Sequence, residues 1–219
     1  MARTPRTTPE QLGKAKIRSR IEAKLLDAGR AQVHKLHGDR KRDVIGAMTG
    51  TIVEVGPGTG ANMQFYGSGV HVIAIEPNPN MQPLLRAEAE KYGVDLEIRT
   101  VQGERIDVDD ETADHVVATL VLCGVDDPPT VVSEIRRVLK PGGTYFFLEH
   151  VGAEPGTGVR WVQDIMFRPH RWAANGCETN RDTLPVIEGA GFSRLDHDLV
   201  DPGLAGAYIR PHLVGVAVR

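Results

Sequence analysis

Short apolar runs rich in β-branched residues alternate along most of the chain with stretches in which apolar residues recur at helical spacing. Such runs, closed by glycine, proline or polar residues, are typical of buried parallel strands. The predicted strands are 51–55, 70–75, 96–101, 115–122 and 144–148, and the predicted helices are 62–65, 80–91 and 129–139. Because strands that alternate with helices are joined by right-handed crossovers, this pattern predicts a doubly wound α/β domain with a mostly parallel sheet.

The two ends of the chain depart from this alternation. Near the C-terminus, two strand-like stretches, 192–200 and 207–218, are separated by Asp201-Pro202-Gly203. No helix fits between them, so they predict an antiparallel hairpin at the sheet edge and bring the sheet to seven strands. Near the N-terminus, apolar residues at helical intervals in 14–37 predict one or two amphipathic helices that either cover the sheet or form a lid.

The polar run 38–43 reads as a solvated turn between these helices and the first strand. The expected organisation is therefore an N-terminal helical extension or lid over 1–45, followed by one α/β domain over 46–219. A chain of 219 residues suits a single large domain of this class.

Composition narrows the classes of partner. A formal net charge of -3 and an aromatic content of 5% do not suggest a nucleic-acid-binding protein. No apolar run is long enough to cross a bilayer, and the N-terminus has no hydrophobic signal region, so we expect a cytoplasmic protein without an integral membrane segment. Nothing in the sequence indicates an oligomeric state.

The two cysteines, Cys123 and Cys177, have neither the number required for a disulfide framework nor the paired spacing of a zinc site. The sequence therefore predicts two reduced thiols and no metal.

A glycine-rich loop follows the first predicted strand. Gly56, Gly58 and Gly60 allow the backbone to turn sharply and bring amide N–H groups close to a ligand at the start of the next helix. Glu76 ends the second strand, where a carboxylate can accept both hydrogen bonds of a ribose diol. These features predict a nucleoside-containing ligand and leave a dinucleotide and S-adenosylmethionine both open.

An ordered series of motifs narrows the choice. It consists of Glu54–Gly60, Glu76-Pro77, Gln102-Gly103-Glu104, the fourth strand with Cys123-Gly124, and Lys140-Pro141-Gly142-Gly143 before the fifth strand. This series, with the final hairpin, resembles the class I S-adenosylmethionine-dependent methyltransferases, whose fold is Rossmann-like. The turn at 140–143, the hairpin and the lack of a separate substrate domain argue against the alternative, a nicotinamide-dependent oxidoreductase.

The resemblance implies S-adenosylmethionine as cofactor and assigns residues to its parts. The loop with Glu54, Gly56, Gly58 and Gly60 would surround the methionine part, and Glu76 would hold the ribose. The remaining assignments place Pro77 and Met81 beside the adenine, Gly103 and Glu104 at the adenine edge, and Thr119 and Leu120 along the site from the fourth strand.

Four further segments are similar to a group that includes membrane thiol S-methyltransferases: 119–123, Glu149-His150-Val151, Asn175-Gly176-Cys177 and Arg210-Pro211-His212. The similarity implies a small-molecule acceptor, with a thiol favoured. An O-, N- or C-methyltransferase acting on a quinone, lipid or natural product is the alternative. The chain has a polar N-terminal segment where that group carries a hydrophobic membrane anchor.

The acceptor side has one candidate for proton transfer. His150 is expected just beyond the fifth strand, at the edge where open α/β sheets bind ligands, and is a candidate base or orienting group. Alternatively, its imidazole only binds the backbone and shapes the pocket. Both tryptophans fall in one segment that forms either a wall for an apolar acceptor or ordinary helix packing: Trp161, Phe167, His170 and Trp172.

Overall fold

The computed structural model describes residues 33–174, 176–203 and 208–219. The strands are β1 (Thr51–Val55), β2 (His71–Ile75), β3 (Asp95–Arg99), β4 (Ala113–Thr119), β5 (Leu139–His150), β6 (Arg194–Val200) and β7 (His212–Val218). The helices are α1 (33–45), α2 (Gln82–Tyr92), α3 (Pro128–Val138), α4 (Gly158–Ala173) and α5 (Leu184–Glu188), with a 3-10 turn at Met63–Phe65.

The strands form one sheet in the order β3-β2-β1-β4-β5-β7-β6. The first five strands are parallel, and β7 runs antiparallel to both β5 and β6. The predicted fold class, a doubly wound and mostly parallel sheet with an antiparallel C-terminal pair, is confirmed. Strand order reverses direction between β1 and β4, which is where open α/β sheets bind their ligands.

Apolar side chains cover both faces of this sheet. In β1, Val53 belongs to a core cluster shared with α3 and α5, whereas the adjacent Ile52 belongs to a second cluster shared with α1 and α2. Because successive side chains of a strand point to opposite faces, a strand buried on both faces must be apolar throughout. This explains why the apolar runs of the sequence located the central strands.

Several predicted boundaries differ from the structure. The helix expected over 62–65 is only a 3-10 turn. The fourth strand ends at Thr119 rather than at residue 122, because Leu120 has φ +60° and turns the chain out of the sheet. The fifth strand continues to His150, so this histidine is the last residue of β5 and does not follow it.

The last strand begins at His212, later than predicted, and the residues 204–207 before it lie outside the described residues.

The solvated turn predicted over 38–43 is wrong. These residues lie within helix α1, and Lys41 and His37 are buried, with 1% and 3% of their surface exposed. With Ile45 they recur every four residues, so they share the face that packs on the sheet. Most of the helix expected over 14–37 lies outside the described residues. In the part of the chain that is described, no helix is long and apolar enough to span a bilayer.

Candidate active site

The register of the sheet places several of the predicted site residues at one edge. Val55 pairs with Ile75 on one side and with Ala118 on the other, and Thr119 pairs with Leu148. The carboxyl ends of β1, β2, β4 and β5 therefore lie side by side. This edge carries the glycine loop, Glu76, Thr119 and His150, as expected for residues at the carboxyl ends of parallel strands.

The glycine loop has the backbone that its composition predicts. Gly56, Gly58 and Gly60 have φ values of +62°, +57° and +86°, a region that other residues rarely enter. A Cβ atom on Gly56 would lie 2.7 Å from the Val121 side chain, so a larger residue would collide with the loop after β4.

Glu76 is bound to this loop. Its Oε2 accepts a hydrogen bond from the Gly58 amide at 3.0 Å, and its Oε1 accepts one from the Asn78 amide at 2.7 Å. A carboxylate has about four acceptor sites, so the two oxygens retain capacity for a ribose diol. The cradle of positive-φ glycines beside a carboxylate at the end of β2 therefore fits S-adenosylmethionine, with the glycines toward its methionine part and the carboxylate toward its ribose.

Glu54 lies beneath the loop in a buried polar network. Asn62 Nδ2 donates to Glu54 Oε1 at 2.8 Å, and the Tyr66 hydroxyl donates to Oε2 at 2.8 Å. Lys41 Nζ donates to Asn62 Oδ1 at 3.0 Å, and Asn62 Nδ2 also reaches Thr119 Oγ1 at 3.1 Å. Burial raises the pKa of Glu54, and the hydrogen bonds from Tyr66 and Asn62 oppose this rise. Both oxygens of Glu54 are thus used within the protein.

The residues assigned to the adenine occupy the loops after β2 and β3. Met81 is buried at the start of α2, whereas Pro77 is exposed. Gly103 is buried, and a Cβ atom there would lie 3.2 Å from the Val55 side chain, so glycine lets this loop approach the end of β1. Glu104 is half-buried. Contacts of these residues with an adenine remain predictions.

The loop after β4 wraps around a buried carboxylate, Glu149, to which the sequence analysis assigned no role of its own. Glu149 Oε1 accepts the amides of Val121 and Leu122, both at 3.0 Å, and its Oε2 accepts the Cys123 amide at 3.3 Å. Burial raises the pKa of Glu149 to about 7, and the amide hydrogen bonds oppose that rise. An acidic residue inside an otherwise apolar strand was the available sequence signal.

Cys123, His150 and Cys177 meet at this edge, and we call them the Cys–His cluster. The two Sγ atoms are 3.5 Å apart, and His150 Nδ1 lies 3.9 Å from Cys123 Sγ and 3.7 Å from Cys177 Sγ. Hydrogen bonding with Cys123, His150 and His170 lowers the pKa of Cys177 against the effect of burial. The hydrogen bond between Cys123 and Cys177 raises the pKa of Cys123, and the burial of Cys123 raises it further.

His150 has two further histidines behind it. Its ring centroid lies 5.3 Å from that of His212, its partner across the β5–β7 ladder. His212 Nδ1 is 2.7 Å from His37 Nε2, and its Nε2 is 2.9 Å from the Ile209 carbonyl oxygen. Burial lowers the pKa of His37 and of His212 to about 4, so both are neutral near pH 7. The imidazole of His150 therefore lies between neutral rings and two sulfur atoms.

The aromatic segment predicted to contact the acceptor forms helix α4. Trp161 and Trp172 are largely exposed, with 67% and 77% of their surface accessible, whereas Phe167 and His170 are half-buried. His170 adjoins the Cys–His cluster through its hydrogen bond with Cys177. A role of all four residues in acceptor binding remains a prediction.

A buried glutamine and a half-buried arginine, neither of which the sequence revealed, hold the loops around the cluster. Gln163 Nε2 donates to the carbonyl oxygens of Thr179 and Arg210, both at 2.9 Å, and its Oε1 accepts the Ala153 amide at 2.9 Å. Arg181 Nη1 donates to two carbonyl oxygens of the loop after β4, those of Leu122 and Val125.

Comparisons with known proteins identify the family of this chain. Residues 53–147 match the family described as Methyltransferase domain. The chain is 38% identical over 172 residues to Thiol S-methyltransferase TMT1A of Homo sapiens, covering 77% of this chain and 70% of that protein. Thiol S-methyltransferase TMT1B of Rattus norvegicus matches with the same identity and coverage.

Among solved structures, a SAM-dependent methyltransferase from Aquifex aeolicus superposes with a TM-score of 0.61 at 19% identity, covering 92% of this chain and 97% of that chain. This likeness supports the fold, and the sequence relatives support the family. The chain belongs to the S-adenosylmethionine-dependent methyltransferases, in the family that includes the thiol S-methyltransferases.

Proposed function

We propose that this methyltransferase acts on the thiol group of a small molecule. The similarity to two thiol S-methyltransferases over 172 residues supports this acceptor class. The structural observation that carries the proposal is the state of the carboxylates at the site edge. Glu54, Glu76 and Glu149 all have both oxygens hydrogen-bonded within the protein.

With these carboxylates engaged by the protein, we assign the imidazole of His150 as the group that takes the acceptor proton at the ends of β4 and β5. A thiol has a reference pKa of about 8.5 and needs only modest help to ionise near neutrality. An alcohol or a phenol would need a stronger or better placed base. The site at the carboxyl ends of the parallel strands is therefore suited to a thiol acceptor.

Different residues of the site bind the methyl donor and activate the acceptor. When bound, S-adenosylmethionine supplies an electrophilic methyl group on a sulfonium sulfur. The glycine loop surrounds the methionine part, Glu76 holds and orients the nucleoside end, and Thr119 and Leu120 border the methyl end. His150 activates the acceptor thiol from the end of β5. Because the leaving group is a neutral thioether, alignment of the acceptor with the methyl carbon is the main requirement.

The test is a turnover assay that measures S-adenosylhomocysteine release with purified protein, labelled S-adenosylmethionine and matched panels of thiols, phenols and amines. We expect release with thiols. Release with phenols or amines and not with thiols would reject the thiol acceptor and favour an O- or N-methyltransferase.

A second test examines His150. We expect His150→Ala to reduce kcat more with a weakly acidic alkyl thiol than with an acidic aryl thiol, which ionises without assistance. His197→Gln, an exposed histidine on β6, is the control and should leave both rates unchanged. Equal losses of kcat with the two thiols would contradict an activating role for His150.

A further inference from the structure

We propose that the Cys–His cluster binds one thiophilic divalent ion, with Zn²⁺ as the best match, and leaves a fourth coordination position for the acceptor thiol. Cys123, His150 and Cys177 would each supply one ligand atom. The ion-binding part stands on geometry alone. The assignment of the open position to an acceptor thiol rests on the proposed function.

The distances within the cluster match the edges of a tetrahedral zinc site. Zinc binds thiolate sulfur at about 2.3 Å and imidazole nitrogen at about 2.0–2.1 Å, which at tetrahedral angles gives S···S edges of about 3.8 Å and S···N edges of about 3.5 Å. The observed S···S distance is 3.5 Å, and the two S···N distances are 3.7 and 3.9 Å. The three ligand atoms can therefore surround one ion with only small side-chain adjustments.

Each ligand is held by a different and well-braced segment. Cys123 lies in the loop after β4, where Glu149 accepts its amide and the Glu178 amide donates to its carbonyl oxygen at 2.7 Å. His150 is fixed in the β5–β7 ladder. Cys177 follows α4, and its amide donates to the Ala174 carbonyl oxygen at 3.1 Å. Outer contacts that orient the ligands are characteristic of metal sites in proteins.

The number and type of ligands favour an ion that takes part in chemistry. Structural zinc sites have four protein ligands, whereas catalytic ones have three and an open position, and two cysteines with one histidine is a known catalytic set. Among the residues that the structure describes, these three side chains bring their metal-binding atoms within 4.8 Å of one another. The exposed face of the cluster is at Cys177, which is half-buried.

An acceptor thiol bound to the ion at the open coordination position would be ionised. A thiol that coordinates zinc loses its proton, which passes to water, and stays bound as a thiolate. The thiolate sulfur then forms a bond to the methyl carbon while the carbon–sulfur bond of the sulfonium breaks and its electron pair remains on the departing sulfur. The methylated product is a neutral thioether, a much weaker ligand, so it can leave. In the ion-bound enzyme His150 would act on the acceptor through the ion, whereas in the metal-free enzyme it would act as a base.

Ion binding can be measured without turnover. Tag-free protein, fully reduced and with both thiols titrated, is dialysed against Zn²⁺ or Co²⁺, and bound metal is counted by mass spectrometry. We expect about one ion per chain, with thiolate-to-cobalt charge-transfer bands and tetrahedral d–d bands for Co²⁺. Cys177→Ser and Cys123→Ser should each weaken binding about ten-fold or more, since each removes a ligand.

His197→Gln is the control for binding by surface histidines and should keep full occupancy. Circular dichroism confirms that each variant is folded. Reduced, folded wild-type protein that takes up no ion would overturn the site, as would a Cys177→Ser variant that binds as tightly as the wild type. A Cys123–Cys177 disulfide in the isolated protein, with no ion uptake after its reduction, would also overturn it.

The open position has its own readout. Adding a small thiol to the Co²⁺ form should intensify the charge-transfer band, and X-ray absorption of the Zn²⁺ form should change from two sulfur neighbours to three. An unchanged spectrum would reject the open position. Thiol turnover by metal-free enzyme would reject a role of the ion in the reaction and keep the proposed function. Ion binding in an enzyme that methylates only phenols or amines would keep the metal and reject the thiol acceptor.

Discussion

At the scale of single residues, three buried glutamates show that the same side chain has different roles in different surroundings. Glu76 braces the glycine loop and faces the ligand edge, Glu54 anchors the network under the loop, and Glu149 collects the amides of the loop after β4. All three are acids at or near the ends of buried strands. Their hydrogen-bond partners, and not the residue type, set what each can do.

The first residue-scale prediction concerns cofactor affinity. We expect Glu76→Ala to weaken S-adenosylmethionine binding by about 1–3 kcal/mol, because the ribose hydroxyls and the Gly58 amide would lose their acceptor. Isothermal titration calorimetry measures the change. Glu90→Gln, an exposed acid on α2, serves as the control. An unchanged affinity for Glu76→Ala would show that this carboxylate does not contact the donor.

The second concerns stability against pH. Burial raises the pKa of Glu54, so the folded state holds this proton more tightly than the unfolded state. As pH rises from 4.5, the ordinary pKa of a glutamate, the unfolded state releases its proton first, and the free energy of unfolding decreases. Glu54→Gln has no proton to lose at this position. We therefore expect its free energy of unfolding to decrease less than that of the wild type as pH rises.

Urea denaturation at a series of pH values tests this difference. Glu154→Gln changes an exposed acid outside the network and should leave the pH profile unaltered. Parallel profiles for the wild type and Glu54→Gln would mean that Glu54 ionises as readily in the folded as in the unfolded chain.

At the scale of elements, local signals set where helices begin, and distant side chains set how the connecting segments lie. Asp127 accepts the Thr130 amide at the start of α3, and Thr157 accepts the Arg160 amide at the start of α4, as expected for capping residues. The segments beyond these helices are instead held by Gln163 and Arg181. These contacts join stretches that are far apart in sequence.

Gln163 provides the element-scale prediction. Replacing it by methionine keeps the volume but leaves buried carbonyl groups and the Ala153 amide without a partner. We expect the free energy of unfolding to decrease by about 3 kcal/mol or more, since each unsatisfied buried group costs about 1–3 kcal/mol. Urea denaturation measures it. Ile165→Gln, at an exposed position of the same helix, should change stability by only about 0.5 kcal/mol. A similarly small effect at Gln163 would contradict its bracing role.

At the scale of the whole molecule, helix α1 belongs to the core of the sheet domain. Ile45 is fully buried in the same apolar cluster as Ile52 of β1 and Leu85 of α2. Lys41 joins the polar network of Glu54 through Asn62. A domain boundary drawn at residue 46 would separate these partners.

The corresponding prediction compares two core positions. We expect Ile45→Ala to lower the free energy of unfolding by about 2–5 kcal/mol, as much as Ile52→Ala, because both create a cavity in one core. Ala47→Ser, at an exposed position just after α1, is the control. If residues 46–219 formed an autonomous domain, Ile45→Ala would have little effect on unfolding while Ile52→Ala remained severe.

Much of the fold followed from local signals in the sequence. Buried parallel strands must be apolar on both faces. The runs 51–55 and 144–148 could therefore be predicted as strands from their own residues, without knowledge of the strands beside them. Glycines after the first strand and an acid after the second predicted where a nucleoside would bind, and the structure places Gly58 and Glu76 in direct contact. Periodicity and turn chemistry act over a few residues, which is why they can be read in this way.

By itself, then, the sequence determined the fold class, the central strands and the glycine loop. Tertiary structure alone decided that Lys41 is buried, that Glu149 collects three amides, and that Cys123 and Cys177, 54 positions apart, lie within 3.5 Å of each other. Partners of this kind are chosen by strand order and by the paths of loops between strands. The spacing of residues along the sequence does not predict these contacts, because the residues involved become neighbours only after the sheet has formed.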